Sequence, residues 1–155
     1  MQDVRVNFET AKIAKERGFN IECDWKVDSD GVEEFLYHES YPNNSEYTYN
    51  PDEDPEAIAY EERYKKLVNQ PTQSSLQKWL REEHGIHINT TFDGFTFDVS
   101  ILWQNNLNGW ESKELTSSLT DITPYMFTEY EQALEEGLKG GLKLIEIVEN
   151  GESRL

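Results

Sequence analysis

The sequence has little of several things that whole classes of protein depend on. It contains one cysteine, Cys23, in 155 residues, so no disulfide can form within the chain. No apolar run approaches the roughly 18 residues of a membrane-spanning helix. The first residues also lack the basic and apolar segments of a signal peptide. These absences predict a cytoplasmic protein that does not associate with a membrane.

Positive charge is scarce as well. Fourteen lysines and arginines stand against 31 aspartates and glutamates, which gives a formal net charge of −17 at pH 7. Proteins that bind nucleic acid neutralise its phosphates with lysine and arginine, so we expect no direct contact with DNA or RNA. An acidic chain can instead occupy the basic surface of a protein that binds nucleic acid, or its charge can serve solubility alone.

Enough apolar residues are present to form a folded core. Thirty-six per cent of the chain is hydrophobic and 12% is aromatic, a composition that argues against wholesale disorder. The length suits one domain. We therefore expect a single domain over residues 1–155, with an exposed acidic loop at about 42–53 and a frayed tail at about 149–155.

Alternating apolar and polar residues predict a first β-hairpin. A strand from Ile21 to Val27 is followed by a short turn and a returning strand. The predicted register pairs Trp25 with Phe35 and Cys23 with Tyr37. It places apolar residues on one face and opposite charges on the other, so the pairs on both faces favour the same register.

A second hairpin is predicted around Asp93–Gly94, because Asp-Gly between two alternating segments is a strong signal for a two-residue turn. Such a turn pairs Phe92 with Phe95 and Ile88 with Val99. One face of this hairpin is then apolar and belongs to the core, whereas the other face is polar and meets solvent. Residues 104–127, which follow the hairpin, are predicted to be an irregular connection.

Helix-capping patterns predict about four helices. They begin near Asn7, Asp54, Thr72 and Thr128, and the second is expected to run to about Asn69. The last helix contains three glycines, whose cost is expected to be offset by close approach of the helix to the sheet: Gly137, Gly140 and Gly141. The predicted fold class is α+β, with an antiparallel sheet built from two β-hairpins and about four helices, mostly packed on one face.

The acidic residues concentrate in one segment that is a candidate for binding a partner protein. Between Glu46 and Glu62 there are seven carboxylates and no basic residue, with tyrosines among them. Tyrosine supplies a large contact area at low entropic cost. The candidate partner-binding residues are Glu46, Tyr47, Tyr49, Asp52, Glu53, Asp54 and Glu56. The alternative interpretation is an ordinary solvated insertion.

A second candidate surface lies around the segment from Trp103 to Trp110. Aromatic faces together with carboxamides can stack on and hydrogen-bond a nucleotide base or a sugar. The candidate ligand-binding residues are Trp103, Asn105, Asn106, Trp110 and Tyr125. The alternative is that the two tryptophans close the edge of the core over an Asn-rich turn.

No residue pattern indicates catalysis. His84 and His87 form His-x-x-His across a predicted helix end rather than within one helix, and no third metal ligand has a characteristic spacing. Cys23 lies between Glu22 and Asp24, whose charges disfavour a reactive thiolate. We expect no catalytic residues, no metal and no cofactor, and the sequence favours a protein without enzymatic activity.

Three segments resemble a known group of proteins. The stretch from Pro71 to Ile88 is similar to the Pro-Thr-Gln-Ser-Leu-x-Gln-Lys-Trp-Leu-Arg-Glu-x-His pattern of small uncharacterised proteins from phages and prophages of Bacteroidetes-type bacteria. The segments 8–19 and 130–138 resemble the same family. The chain departs from it with Ser75 where leucine is usual, and its acidic insertion around Glu46 to Asp54 is longer. The resemblance implies a phage-borne accessory protein in the bacterial cytoplasm and implies no catalytic residue.

Three functions remain open on these grounds. The first is protein binding, in which the chain presents carboxylates to a basic host nucleic-acid-binding or defence protein. The second is a small-ligand binder or enzyme that uses the tryptophan segment. The third is a minor structural part of a phage particle. The charge and the phage-like segments favour the first, and the sequence leaves the oligomeric state open.

Overall fold

The computed structural model describes residues 3–35, 65–105, 109–114 and 127–149, together with the single positions Pro55, Ala59 and Glu62. These residues form an α+β fold, as predicted. The helices with complete bounds are α1 (Phe8–Glu16), α2 (Gln73–His84) and α3 (Tyr130–Glu149). The strands are β1 (Trp25–Val27), β2 (Glu33–Phe35), β3 (Val68–Asn69), β4 (Ile86–Phe92), β5 (Phe97–Asn105) and β6 (Gly109–Glu114).

The prediction of a single sheet built from two hairpins is wrong. The described strands form two antiparallel sheets of three strands each, with the orders β2-β1-β3 and β4-β5-β6. Each predicted hairpin is present, and each gains a third strand that the alternation pattern did not reveal. We call them the small sheet and the large sheet.

The third strand of the small sheet replaces the end of a predicted helix. The helix expected from Asp54 to about Asn69 is helical at Pro55, Ala59, Glu62 and residues 65–66, and its other residues before 65 lie outside the described chain. Val68 and Asn69 instead pair with β1. Three helices therefore have bounds here rather than about four. Val68 is buried in this strand, where its β-branched side chain packs well.

Helix caps form at two of the four predicted positions, Asn7 and Thr72. Asp54 lies outside the described residues, and α3 begins at Tyr130, two residues after the predicted cap at Thr128. The side chain of Asn7 accepts a hydrogen bond from the backbone N–H of Thr10, and Thr72 does the same for Ser75. Gly85 ends α2 in the left-handed conformation at φ 64°, which costs glycine little. These contacts are local, so the sequence alone is sufficient to locate them. Helix α3 continues to 149, and the rest of the predicted frayed tail lies outside the described residues.

The first hairpin has the predicted register over a shorter length. Trp25 pairs with Phe35 and Lys26 pairs with Glu34. Residues 21–24 are not in a strand, so the pairing predicted for Cys23 does not extend the ladder, and its expected partner Tyr37 lies outside the described residues.

The predicted two-residue turn of the second hairpin is wrong. The loop comprises residues 93–96, and Phe92 pairs with Phe97 instead of Phe95. The other pairs shift in step, so that Ile88 pairs with Ile101. Phe95 and Thr96, predicted to be part of the strand, lie in the loop. A shift of two positions leaves every side chain that remains in the ladder on its predicted face, because side-chain direction along a strand repeats every two residues. The prediction of one core face and one polar face is therefore confirmed although the register is not.

Strand β6 lies in the region predicted to be an irregular connection. Residues Gly109–Glu114 pair with β5 along their whole length. Their sequence, Gly-Trp-Glu-Ser-Lys-Glu, lacks the alternation of apolar and polar residues that signals a half-buried strand. This segment is therefore a strand because it pairs with β5, and its own sequence pattern does not predict it.

Helix α3 packs closely on the large sheet, and two of its glycines make the close approach possible. A Cβ at Gly137 would lie 2.6 Å from Ile88 Cγ2 and 2.7 Å from Val99 Cγ1. A Cβ at Gly141 would lie 2.9 Å from Ile88 Cδ1 and 3.2 Å from Leu80 Cδ1. The prediction that glycines bring the last helix close to a sheet is confirmed for these two positions.

Candidate functional site

Most of the predicted site residues lie outside the described residues. This holds for the whole proposed partner-binding set, Glu46, Tyr47, Tyr49, Asp52, Glu53, Asp54 and Glu56, and for the acidic loop at about 42–53. Two of the ligand candidates, Asn106 and Tyr125, also lie outside. The backbone of Asn105 pairs with that of Gly109 at the end of β5. The assignment of the acidic segment to partner binding stays a prediction.

The two tryptophans proposed to hold a ligand lie on opposite faces of the large sheet. Trp103 pairs with Glu111, and Trp110 pairs with Gln104, the next residue along β5. The side chain of Trp103 is 5% exposed and belongs to the core, whereas Trp110 is 60% exposed. The two rings therefore cannot stack on opposite sides of one ligand.

The two histidines occupy separate environments. His84 ends α2 with its ring edge against Trp79 at 4.5 Å between centroids, and its Nδ1 lies 3.6 Å from Glu149 Oε1. His87 lies on β4 with its ring 5.2 Å from that of Trp110. Among the described residues, no group of three or more histidine, cysteine, aspartate or glutamate side chains could hold a metal ion.

Cys23 has the properties of a structural thiol. It is half-buried, and its Sγ lies 3.4 Å from the carbonyl oxygen of Ile21. Burial raises the pKa of the thiol to about 11; the charge of Lys26 opposes the rise, and those of Glu22 and Asp24 add to it. The thiolate is the nucleophilic form of cysteine. A thiol that stays protonated at neutral pH is a poor candidate for covalent catalysis.

A cleft of about 400 Å³ opens where the ends of α1 and α2 meet. Its lining includes Arg17, Asn20, Ile21, Trp79, Glu83 and His84. The guanidinium of Arg17 is already engaged by α3. Its Nε donates to the carbonyl oxygen of Leu142 at 3.2 Å, and its terminal nitrogen lies 2.8 Å from Glu146 Oε2. Arg17 therefore joins the end of α1 to α3, and its guanidinium is already engaged rather than oriented toward an anionic ligand in the cleft.

Exposed aromatic side chains gather at the tip of the second hairpin. Phe95 is 88% exposed, Phe92 is 60% exposed and Tyr130 at the start of α3 is 43% exposed. Half-buried Phe97 connects two of them, since its ring centroid lies 4.9 Å from that of Phe92 and 6.0 Å from that of Tyr130. We call these four residues the tip patch. Large aromatic side chains exposed together are a mark of interaction sites.

The backbone that presents Phe95 is held by one carboxylate. Asp93 Oδ1 accepts hydrogen bonds from the backbone N–H of Phe95 at 2.8 Å and of Thr96 at 2.7 Å. Its Oδ2 accepts from the Thr96 hydroxyl at 3.1 Å. These donors, the Thr96 amide foremost, hold the pKa of Asp93 below its usual value. Gly94 supplies the positive φ of 105° that the loop needs. We call this arrangement the Asp93 lock.

A backbone contact joins the hairpin to the start of α3. The N–H of Phe97 donates to the carbonyl oxygen of Phe127 at 2.8 Å, and Phe127 is buried. This bond fixes the segment that leads into Tyr130 beside the start of β5. The tip patch is therefore assembled from two parts of the chain and held by both.

The tip patch is bordered by negative charge. The patch residues lie in two segments, 86–99 and 127–138, which contain six carboxylates and no lysine or arginine. Four of the six adjoin patch residues in sequence: Asp93, Asp98, Glu129 and Glu131. Lys139, the next residue of α3, is paired with Glu9 and Glu136. Aromatic faces and carboxylates are the two groups that attract arginine and lysine side chains.

No protein-family model, curated protein or solved structure matches this chain. None of the described helices is long and apolar enough to cross a membrane. The choice of the tip patch as a candidate site therefore depends only on the geometry of this chain. Sequence reasoning missed it because it assigned Phe92 and Phe95 to a cross-strand pair. The sequence signal for the longer loop was Thr96, three residues after Asp93. Its hydroxyl and backbone N–H can both donate to the Asp93 carboxylate and so close a loop.

Proposed function

We propose that this protein has no enzymatic activity and acts by binding a protein partner that has a basic surface. The observation that carries the proposal is the net charge of −17. A field of that strength attracts a basic surface from a distance and repels nucleic acid and anionic membrane.

Several basic side chains are paired with carboxylates of the protein itself. Ion pairs at 4.0 Å or less join basic and acidic side chains across the described surface: Arg5 with Glu33, Arg17 with Glu146, Lys78 with Glu82, and Lys139 with both Glu9 and Glu136. Each pair cancels one positive and one negative charge, so the net charge of −17 is unchanged. The remaining carboxylates dominate the field that an approaching partner meets.

The resemblance of the stretch from Pro71 to Ile88 to phage proteins narrows the proposed partner. A phage-borne accessory protein with this charge fits a host protein that binds nucleic acid or takes part in defence. Such proteins carry basic grooves for phosphates, and an array of carboxylates can compete for them. The residues we assign to this contact are those of the acidic segment between Glu46 and Glu56.

The test is affinity capture with the full chain from a nuclease-treated bacterial lysate at low and at moderate salt. Captured proteins are expected to have basic surfaces and to be released as salt rises, because screening weakens contacts between exposed charges. Finding no captured protein at either salt concentration would count decisively against the proposal.

A pair of variants with equal net charge separates a local site from the overall field. One carries Glu46→Gln, Asp52→Asn, Glu53→Gln and Asp54→Asn. The other carries the same number of substitutions at exposed positions elsewhere: Glu16→Gln, Asp24→Asn, Asp30→Asn and Glu83→Gln. Each changes the net charge from −17 to −13, since four carboxylates are removed. Loss of capture in the first variant alone supports a site in the acidic segment, whereas equal loss in both supports the field as a whole.

A further inference from the structure

We infer that the tip patch is a docking surface for a segment of the partner in which arginine or lysine alternates with apolar side chains. The inference rests on the proposed function for the basic character of the partner, and it adds a specific contact to a long-range attraction. The patch consists of Phe92, Phe95, Phe97 and Tyr130.

The exposure of these rings gives the first argument. Among the described residues, Phe95 has the highest exposure of the large hydrophobic side chains, at 88%, and three of the eight exposed ones lie in the patch. Single exposed apolar residues are ordinary at a protein surface. Several aromatic rings exposed together leave apolar area in water, and covering that area stabilises a complex.

The Asp93 lock gives the second argument. An exposed loop ordinarily loses conformational freedom when it binds, and this loss weakens affinity. Here the backbone on both sides of Phe95 is already fixed by hydrogen bonds to Asp93 within the free protein. Phe95 is therefore presented from a backbone that is already in place, which lowers the entropic cost of burying its ring at the centre of an interface.

The carboxylates next to the tip patch determine which class of partner can bind there. A second copy of this chain carries the same charge of −17 and the same acidic border, so it is repelled. An anionic membrane and nucleic acid are repelled for the same reason. A basic partner segment brings charges that the border attracts and apolar side chains that the rings can cover.

The chain contains a working example of this recognition. In the small sheet, the guanidinium carbon of Arg5 lies 4.0 Å from the centre of the Trp25 ring, while its terminal nitrogen lies 2.5 Å from Glu33 Oε2. One cation thus contacts an aromatic face and a carboxylate together. The tip patch offers aromatic rings and neighbouring carboxylates, and the two chain segments that form it supply no arginine or lysine. Phenylalanine and tyrosine bind cations less strongly than tryptophan does, so apolar contact must supply part of the affinity.

The test is a titration of the isotope-labelled full chain followed by nuclear magnetic resonance. The probes are three peptides of equal length in which arginine alternates with leucine, arginine with serine, or glutamate with leucine. The arginine–leucine peptide is expected to bind tightest and to shift the amide signals of residues 92–97 and 127–130. The arginine–serine peptide is expected to bind more weakly, and the glutamate–leucine peptide not at all.

Two variants decide whether the patch is responsible. Phe95→Ser is expected to weaken binding of the arginine–leucine peptide about tenfold or more, as for a central interface residue. Trp110→Ser is the matched control, since this ring has the same 60% exposure as Phe92 but lies on the polar face of the large sheet. It is expected to change the affinity less than about twofold. Amide spectra of both variants establish that they fold.

The outcomes separate this inference from the proposed function. Unchanged affinity in Phe95→Ser, shifts confined to other surfaces, or equal binding of the glutamate–leucine peptide would each overturn the docking surface and leave the proposed function standing. Failure of the wild-type chain to bind the arginine–leucine peptide would also overturn it, and the lysate capture would then decide the proposed function separately.

Discussion

The two sheets of this protein are stabilised by different kinds of contact. In the large sheet, buried aliphatic side chains from β4 and β5 fit against the glycines of α3, as Ile88 and Val99 do against Gly137. This packing buries apolar area and depends little on salt or pH.

The small sheet contributes Val27 and Val68 to the apolar core, and polar groups also join it to its surroundings. Gln70, 3% exposed, donates to Glu33 Oε1 and to the carbonyl oxygen of Val6. Lys26 donates to Asn69 Oδ1 at 2.8 Å. Hydrogen bonds to charged groups are stronger than neutral ones but depend on the protonation state of their members. The small sheet therefore contains ionisable contacts that respond to pH, whereas the contact of Gly137 in α3 with Ile88 and Val99 of the large sheet is apolar.

The largest effect is expected from Ile101→Ala in β5, at the centre of the large sheet. Ile101 is buried, and removing its branched side chain leaves a cavity in close-packed surroundings. Such a change typically costs about 2–5 kcal/mol of stability, measurable by denaturant unfolding. Val27→Ala, at an equally buried position in the small sheet, is expected to cost less because fewer carbons are removed. Equal losses would contradict this expectation, because each carbon removed from the small sheet would then cost more stability than each carbon removed from the large sheet.

Gly137→Ala tests the close fit between α3 and the large sheet. The added methyl group would overlap Ile88 and Val99, whose branched side chains have little rotational freedom. Overpacking of this kind costs about 1–3 kcal/mol. The control is Gly140→Ala on the same helix, where Gly140 is only half-buried and alanine is expected to add up to about 1 kcal/mol through helix propensity. Stabilisation by both substitutions would contradict the close fit.

Glu33→Gln tests the polar character of the small sheet. Hydrogen bonds from Arg5 and then Gln70 lower the pKa of Glu33 from 4.5. Because the pKa is depressed in the folded state, the contribution is complete well above 4.5 and disappears as pH falls through the folded value. The group is partly exposed, so we expect a loss of only about 0.5–1 kcal/mol at neutral pH. Thermal unfolding should show the two proteins converging in acid; a constant difference would refute the mechanism.

The smallest effect on global stability is expected from Asp93→Ala, which removes the Asp93 lock. The hydrogen bonds it breaks are confined to the hairpin loop. The amides of Phe95 and Thr96 should exchange with solvent faster, while the unfolding midpoint hardly moves. In the wild-type chain the Asp93 carboxyl should titrate below 3.8, since its pKa is lowered by these donors. Titration at or above that value would show that the lock is not formed in solution.

Local chemistry made part of the fold predictable. The cap at Thr72 and the terminator at Gly85 depend on neighbours within one helical turn, and alternation identified the core face of the second hairpin. Strands β3 and β6 could not be predicted in the same way. Val68 follows a helical segment, and β6 has no apolar alternation, so both depend on partners that lie far away in sequence.

At the candidate site, an error of two residues in the predicted register hid the exposed aromatic residues of the tip patch. A two-residue turn would have paired Phe92 with Phe95 across the strands. The four-residue loop that Asp93 closes moves Phe97 into that pairing and leaves Phe95 outside the ladder. This shift leaves the core face unchanged, but it places Phe95 in the loop with its side chain exposed. The hydrogen bonds accepted by the Asp93 side chain close the longer loop, and the periodicity of apolar residues carries no information about them.

The contact between Gly137 and the sheet also limits how this sequence can diverge. Any larger residue at position 137 must be accompanied by a smaller one at position 88 or 99, because the three share one space. Val99→Ala, which removes the γ-carbons facing the helix, should therefore restore part of the stability that Gly137→Ala loses. Among descendants of this chain, these three positions are expected to change together or to remain as they are.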